Sequence, residues 1–308
     1  MRIPAEFRVG SATHTGLVRS ANEDDYLVIA PPDRRPFALV AAIADGMGGV
    51  AGGGEASRTA LRGLAAGLLA EDDGSAGTAG DLEQRVIAAF GAAWARVREQ
   101  AQLVPALREM GTTLTVLVFA GQHAVLGHVG DSRAYLLRGG ELRQLSVDHT
   151  ARERGSQLLR CIGGGLPEQP PDTVAFDLAP GDRLLVCSDG VWGPVGDARL
   201  QDALARLQPG SAAERMVSLA LAAGGPDNGT ALVVHFVGAG AEPAAEVEAT
   251  LPLEEASRLG DLTRQAGRLG AARWPWFLLL LLAAVVIAAV VARWVTGFDA
   301  LLWLRAIL

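Results

Sequence analysis

Short apolar runs punctuated by turn residues fill the first part of the chain, and their period changes along it. Phe7 to Thr13 and Asp25 to Ile29 read as short strands joined by a polar turn, and Phe37 to Ala44 as a third strand. Two helical patterns follow. Glu55 to Leu69 repeats Ala56, Ala60, Leu61, Leu64 and Leu68 on one face, and Leu82 to Gln102 repeats Val86, Phe90, Ala93, Trp94 and Val97. A loop of small and acidic residues, Glu71 to Gly80, separates them. From Thr112 the period shortens again. Leu114 to Phe119, Ala124 to Gly130, Arg133 to Arg138 and Glu141 to Leu145 are strand-like, with tight connections at Gly121-Gln122 and Gly139-Gly140, so an antiparallel meander is expected. Asp148 to Pro171 is irregular. Strands Thr173 to Phe176 and Arg183 to Ser188 then lead to helices near Ala198 to Leu207 and Ala212 to Ala222, and Ala231 to Val237 is the last strand. The helices fall in separate pairs without β-α-β alternation. That pattern predicts an α+β fold, antiparallel sheets covered by helices, rather than a doubly wound one.

The C-terminal end differs in kind. Phe277 to Ala292 is apolar throughout, and with Trp274 to Trp276 before it and Trp294 and Val295 after it the stretch reaches the ~20 residues a bilayer core requires. Residues 274–296 are therefore expected to form a transmembrane helix, with Trp274, Trp276 and Trp294 at the interfaces and Arg293 able to snorkel. Arg258, Arg264, Arg268 and Arg273 precede the span, whereas Arg293 and Arg305 follow it, which places the large N-terminal part in the cytoplasm, on a single-pass protein of the inner membrane. Residues 239–273 read as a linker, and residues 297–308 as a short tail at the far interface. The alternative is a helix buried in a soluble core. Met1 to Glu6 has no apolar core of the kind a secretory signal carries.

Composition narrows the function. The 308 residues are half hydrophobic, and a net charge of -7 with a pI near 5.3 offers no basic footprint for nucleic acid. Cys161 and Cys187 have no zinc-type partners and read as reduced core thiols. The informative residues are acidic. Asp45 ends an apolar run and opens the turn Gly46-Met47-Gly48-Gly49, and Asp131, Asp189 and Asp227 stand in similar positions at the ends of other apolar runs. Carboxylates brought together from distant strand ends suit a hard divalent cation such as magnesium or manganese, which takes oxygen ligands. Taken singly, each could be a turn or capping carboxylate.

Six ordered motifs carry a resemblance. Arg19-Ser20-Ala21-Asn22-Glu23-Asp24, Ala44-Asp45-Gly46-Met47-Gly48-Gly49, Gly111-Thr112-Thr113, Gly130-Asp131-Ser132-Arg133, Ser188-Asp189-Gly190 and Asp227-Asn228 follow the order and spacing of the bacterial metal-dependent protein phosphatases of type 2C. The match runs over about residues 8 to 238, and residues 1–238 are expected to form the catalytic domain. The resemblance implies a four-layer αββα sandwich, two antiparallel sheets between pairs of helices, with two Mn2+ or Mg2+ ions in a channel at one end. It further implies that Asp45 bridges both ions, that the carbonyl of Gly46 binds one of them, and that Asp189 and Asp227 serve the first ion and Glu23 the second. Water activated there would hydrolyse the phosphomonoester of phosphoserine or phosphothreonine proteins. Arg19 would fork onto the phosphate oxygens. Asp24 would accept from outside the ligand set, and Asp131 would contribute to metal-related work or to a turn. Thr112 and Thr113 are expected to support the site, and His149 either approaches the channel or is structural. His14, His123, His128 and His235 read as ordinary sheet residues.

The chain also departs from that pattern. Relatives place an aspartate four residues after the Ser-Asp-Gly aspartate, where this chain has Gly193, so a third ion should be weak or absent. The long flap that usually follows Asp-His-Thr is nearly missing, because Asp148-His149-Thr150 is followed closely by Leu158-Leu159-Arg160-Cys161-Ile162-Gly163. Met47 stands where some relatives carry a histidine proposed as general acid. The expectation is a membrane-anchored, cytoplasm-facing serine/threonine phosphatase opposing a kinase. The alternatives are a catalytically weak phosphoprotein-binding module and a regulator of sigma-factor antagonists on the same scaffold.

Overall fold

The apolar run that delivers Asp45 is buried on both faces, and that fact sets the layering of the protein. In the computed structural model, which describes residues 3–31, 37–47, 49–70, 79–151 and 157–238, this run becomes the strand Leu39–Met47. Val40, Ala42 and Ala44 enter one core, while Leu39, Ala41 and Ile43 enter another. Alternating side chains of an extended strand point to opposite faces, so one strand can serve two cores only as the inner sheet of a stack.

In chain order the elements are β1 (Phe7–His14), β2 (Asp24–Ile29), β3 (Leu39–Met47), α1 (Gly49–Leu69), α2 (Ala79–Leu103), β4 (Gly111–Thr112), β5 (Leu114–Ala120), β6 (His123–Val129), β7 (Arg133–Arg138), β8 (Glu141–Gln144), β9 (Thr150–Ala151), β10 (Gln157–Leu158), β11 (Ile162–Gly163), β12 (Asp172–Asp177), β13 (Arg183–Cys187), α3 (Asp189–Val195), α4 (Asp197–Arg206), α5 (Pro209–Ala222) and β14 (Gly229–Phe236). One sheet runs β1-β14-β13-β7-β8, and the other runs β11-β4-β3-β5-β6-β12 with β2 also on β3. All pairings are antiparallel, for example Asp24↔Asp45 between β2 and β3 and Cys187↔Ala231 between β13 and β14.

Three cores separate four layers. α1 and α2 cover the outer face of the β3 sheet with Leu64, Leu68, Val86, Phe90 and Trp94. Between the sheets lie Phe7, Phe119, Leu126, Leu184, Val186, Leu232 and Phe236. The outer face of the second sheet, including Leu185, Cys187 and Val233, packs on α3, α4 and α5. The expected αββα sandwich of two antiparallel sheets flanked by helices is therefore present. Both cysteines are buried and unpaired in a disulfide.

The expected meander is not a single sheet. β5 pairs with β6 in one sheet and β7 with β8 in the other, and the chain changes sheets at Gly130-Asp131-Ser132. Gly130 makes the crossing with φ +117°, a conformation open to glycine. A second difference is α3, Asp-Gly-Val-Trp-Gly-Pro-Val, a helix in a stretch for which the sequence predicts no element. Two glycines and Pro194 give it poor intrinsic propensity, and burial of Val191 and Val195 outweighs that preference. α1 likewise starts at Gly49, six residues ahead of the expected Glu55. Among the described residues no helix is long and apolar enough to cross a membrane. The span expected over 274–296, with its linker and tail, lies outside the described residues.

Candidate metal and phosphate site

The end of β3, the loop before β2, the sheet crossing, the start of α3 and the turn before β14 meet around one cavity of about 620 Å³. Its wall includes Arg19, Glu23, Asp45, Gly46, Asp131, Asp189 and Asp227. Every residue assigned to catalysis, substrate or metal in the sequence thus lines the same space, although Arg19 and Asp227 stand at opposite ends of the domain in sequence. Asp24 does not line it.

Hydrogen bonds to the main chain position Asp45 and Glu23. The N–H of Asp45 donates to Thr113 Oγ1 (2.9 Å), and its carbonyl accepts from Thr113 N and from Thr112 Oγ1, both at 2.9 Å. Thr113 Oγ1 also pairs with Ser132 Oγ (2.8 Å), which links the end of β3 to the sheet crossing. The two threonines therefore hold Asp45 through polar contacts, as the sequence led one to expect. Glu23 is fixed by Asn228, whose Oδ1 accepts the Glu23 N–H (2.8 Å) while its Nδ2 donates to the carbonyls of Thr15 (2.7 Å) and Ala21 (2.9 Å). Sequence reading assigned Asn228 no role. An amide beside Asp227, able to donate and accept at once, is the one available signal.

α1 approaches this end closely. A Cβ on Gly53 would lie 2.7 Å from Cδ of Glu23 and 2.8 Å from the carbonyl carbon of Gly46, so glycine is required by space. Asp189 opens α3, where the helix dipole favours a carboxylate. Ser188 precedes it but does not cap the helix; its hydroxyl donates to Asp24 Oδ2 (2.8 Å) and accepts from Thr230 N (3.0 Å). Thr230 Oγ1 donates to the same Asp24 oxygen (2.7 Å), and Asp24 Oδ1 is buried without a partner. Asp24 thus stands behind the cavity wall with one oxygen unspent.

The electrostatics are those of crowded like charges. Burial first, then the charges of Asp24, Asp189, Asp131 and Asp227, push the Asp45 carboxyl well above the usual carboxylate range. Burial, then the charge of Asp227, raises the Asp189 carboxyl as well. Burial and then Asp189 raise Asp131 to about 7, and burial raises Asp24 to about 6. The one basic group on the wall, Arg19, donates from Nη2 to Asp227 Oδ2 at 2.6 Å. Among the described residues no three His, Cys, Asp or Glu side chains are drawn tightly around a single point. The donor set nevertheless suits a hard divalent cation: oxygen atoms only, excess negative charge, and an unpartnered buried carboxylate oxygen directly behind.

His149 is not on the cavity wall. Its Nδ1 accepts from Gly130 N (3.1 Å), its Nε2 meets Asp172 Oδ2 (2.9 Å), and its ring lies 4.8 Å from that of His128. With its backbone N–H on the Gly130 carbonyl (2.8 Å), it brackets the sheet crossing and so takes the structural of its two expected roles. The shortened flap is the small hairpin of β9 and β10, and Leu158 from it reaches the cavity. At Gly193, a Cβ would meet nothing within 4 Å.

Comparison with known proteins agrees with this arrangement. The family model described as "Protein phosphatase 2C" matches residues 17–223. The chain is 34% identical over 291 residues to the serine/threonine protein phosphatase PstP of Mycobacterium tuberculosis, covering 86% of this chain and 54% of that one. It therefore spans about half the length of that relative. It is 32% identical over 253 residues to the serine/threonine phosphatase stp of Listeria welshimeri, covering 75% and 95% of the two chains. Among solved structures it is similar to the catalytic domain of PstP in complex with two manganese ions, at 37% identity and a TM-score of 0.64, over 74% of this chain and 97% of that one. The chain belongs to the protein phosphatase 2C family.

Proposed function

We propose that this chain is a serine/threonine phosphoprotein phosphatase that works with two manganese or magnesium ions. The observation that carries the reading is the single cavity shared by Glu23, Asp45, Asp131, Asp189, Asp227 and Arg19. Glu23, Asp45, the carbonyl of Gly46, Asp189 and Asp227 would hold the cations, in keeping with the two manganese ions in the similar PstP structure. When bound, such ions supply a deprotonated water at neutral pH and offset the charge on the phosphoryl oxygens.

The chain's own residues do the rest. Arg19, half exposed and reaching only Asp227, is free to turn its guanidinium onto two phosphate oxygens once Asp227 has another counter-charge. In the net reaction a water oxygen bonds to phosphorus as the bond to the serine or threonine oxygen breaks, and the proton given up by that water ends on the departing oxygen, leaving inorganic phosphate and the free hydroxyl. Thr112, Thr113 and Asn228 keep Asp45 and Glu23 in place throughout. Asp24, tied to Ser188 and Thr230, remains an acceptor behind the ligands, and Asp131 adds negative charge beside them.

The apolar stretch 274–296, flanked by tryptophans, supports a single membrane anchor with the catalytic domain on the cytoplasmic side, acting against a serine/threonine kinase. Purified protein should release phosphate from phosphothreonine peptides and from p-nitrophenyl phosphate with Mn2+, and Asp45→Asn or Asp189→Asn should abolish both. Binding of phosphopeptides without turnover at millimolar Mn2+ would instead favour the weak binding module. Removal of residues 274–308 should shift the protein from the membrane pellet to the supernatant; a truncated protein still in the pellet would overturn the anchor.

A further inference from the structure

The loop that carries Arg19 presents two apolar side chains to solvent immediately before it. Leu17 is 65% exposed and Val18 71%. Exposed leucine or valine on a slack loop would mean little, but this loop is pinned along its length. Leu17 N donates to the carbonyl of Gly225 (2.8 Å), Gly16 N to His14 Nδ1 (2.9 Å), and Arg19 to Asp227 (2.6 Å). Gly16, at φ +82°, sits so close to the Asp227 carbonyl that no Cβ would fit. Asn228 clips the carbonyls on either side, at Thr15 and Ala21. The backbone therefore holds Leu17 and Val18 outward beside the phosphate arginine. A further apolar side chain, Leu158 of the β9–β10 hairpin, lines the cavity itself, and the neighbouring Leu159 is 55% exposed with its N–H fixed to the His149 carbonyl (2.8 Å).

We infer, resting on the phosphatase reading, that the cavity mouth selects phosphoserine or phosphothreonine segments carrying an apolar side chain close to the phosphorylated residue, which Leu17, Val18 and Leu158 cover. Among the described residues Arg19 is the basic side chain on the cavity wall, and it meets the phosphate itself. Leu158 lines the cavity, and Leu17 and Val18 stand exposed two and one residues before Arg19, so an apolar flanking residue can bury surface there, a gain that serine or aspartate cannot supply.

The test uses the full-length protein with Mn2+ and a set of phosphothreonine peptides identical except for Leu, Ser, Asp or Lys at the positions either side. The readout is kcat/KM for each peptide divided by that for p-nitrophenyl phosphate, which has no flanking residues. The leucine peptide should exceed the serine peptide by about tenfold, the effect of burying roughly half a leucine side chain. In the double variant Leu17→Ser/Val18→Ser the leucine-over-serine preference should fall to about threefold or less, the remainder coming from Leu158. Equal rates for all peptides, a lysine peptide ahead of the leucine peptide, or a preference unchanged in the double variant would overturn the inference. So would a wild type that is dimeric by sedimentation and a monomeric double variant that keeps its preference, because the apolar pair would then be a self-contact. If p-nitrophenyl phosphate and every peptide stay intact, the phosphatase reading fails. Fluorescence anisotropy of the same labelled peptides then decides the flanking preference by itself, with tighter binding of the leucine peptide expected and equal binding overturning it.

Discussion

Replacing Asp131 by asparagine should make the metal-free protein more stable, and more so at high pH. Asp131 is nearly buried, and burial followed by the charge of Asp189 raises its carboxyl from an ordinary 3.8 to about 7. Because the folded protein holds this proton more tightly than the unfolded chain, stability is lost as pH rises from about 4 through 7 and is constant above that. Ionisation at pH 8 then costs the fold about 4 kcal/mol, and at pH 5 under 2 kcal/mol. Asparagine has nothing to ionise. Its advantage over the wild type should be close to those figures, so that after chelation the melting temperature rises by roughly 8–16 °C at pH 8, at about 2–4 °C per kcal/mol for a domain of this size, and by less than half as much at pH 5. Differential scanning calorimetry in a chelator at the two pH values measures it. An asparagine variant that melts at or below the wild-type temperature at pH 8, or a gain that does not shrink at pH 5, would refute the claim that like-charge crowding strains this cavity. Divalent cations should remove the difference by neutralising the neighbouring charges.

Thr113→Val, nearly isosteric, leaves the buried Asp45 N–H without its acceptor and Ser132 without a partner, so a loss of about 1–3 kcal/mol in urea denaturation is expected, whereas Thr113→Ser should stay near wild type; equal stability of the two variants would contradict this. Gly53→Ala places a methyl against the Glu23 carboxylate and the Gly46 backbone, and should weaken Mn2+ binding by about tenfold or more, since it moves two proposed ligands at once; titration calorimetry with unchanged affinity would show that neither is used. His149→Ala removes the acceptor for Gly130 N and one contact of Asp172, and should lower the melting temperature by roughly 2–6 °C, the effect of an orphaned buried N–H; an unchanged temperature would deny His149 its bracing role.

Much of this was legible in the chain because the site is built at the ends of regular elements. A buried strand that stops at a carboxylate announces Asp45, and the same logic locates Asp131 and Asp189. Antiparallel sheets covered by helices followed from helix pairs without β-α-β alternation, and the four layers from the resemblance carried by the six motifs. What the pattern hid was partnership. Residues in β6 and β7 are buried on both faces, so nothing in their alternation reveals that they belong to different sheets, and Gly130-Asp131-Ser132 has the length of a hairpin turn. α1 and α3 begin in glycine-rich sequence that resembles loop, yet glycine at Gly53 and Gly190 is what lets those helices approach Glu23, Gly46 and Asn228. The grip of Asn228 on Glu23 and the pairing of Arg19 with Asp227 join positions about two hundred residues apart, a distance over which neither spacing nor propensity carries information.

The most direct test is Mn2+ titration calorimetry on the full-length protein, beside Asp45→Asn and Asp189→Asn. The account predicts two ions bound per wild-type chain, with both lost in Asp45→Asn and at least one in Asp189→Asn. A wild type that binds no manganese, or variants that still bind two ions with wild-type affinity, would contradict it.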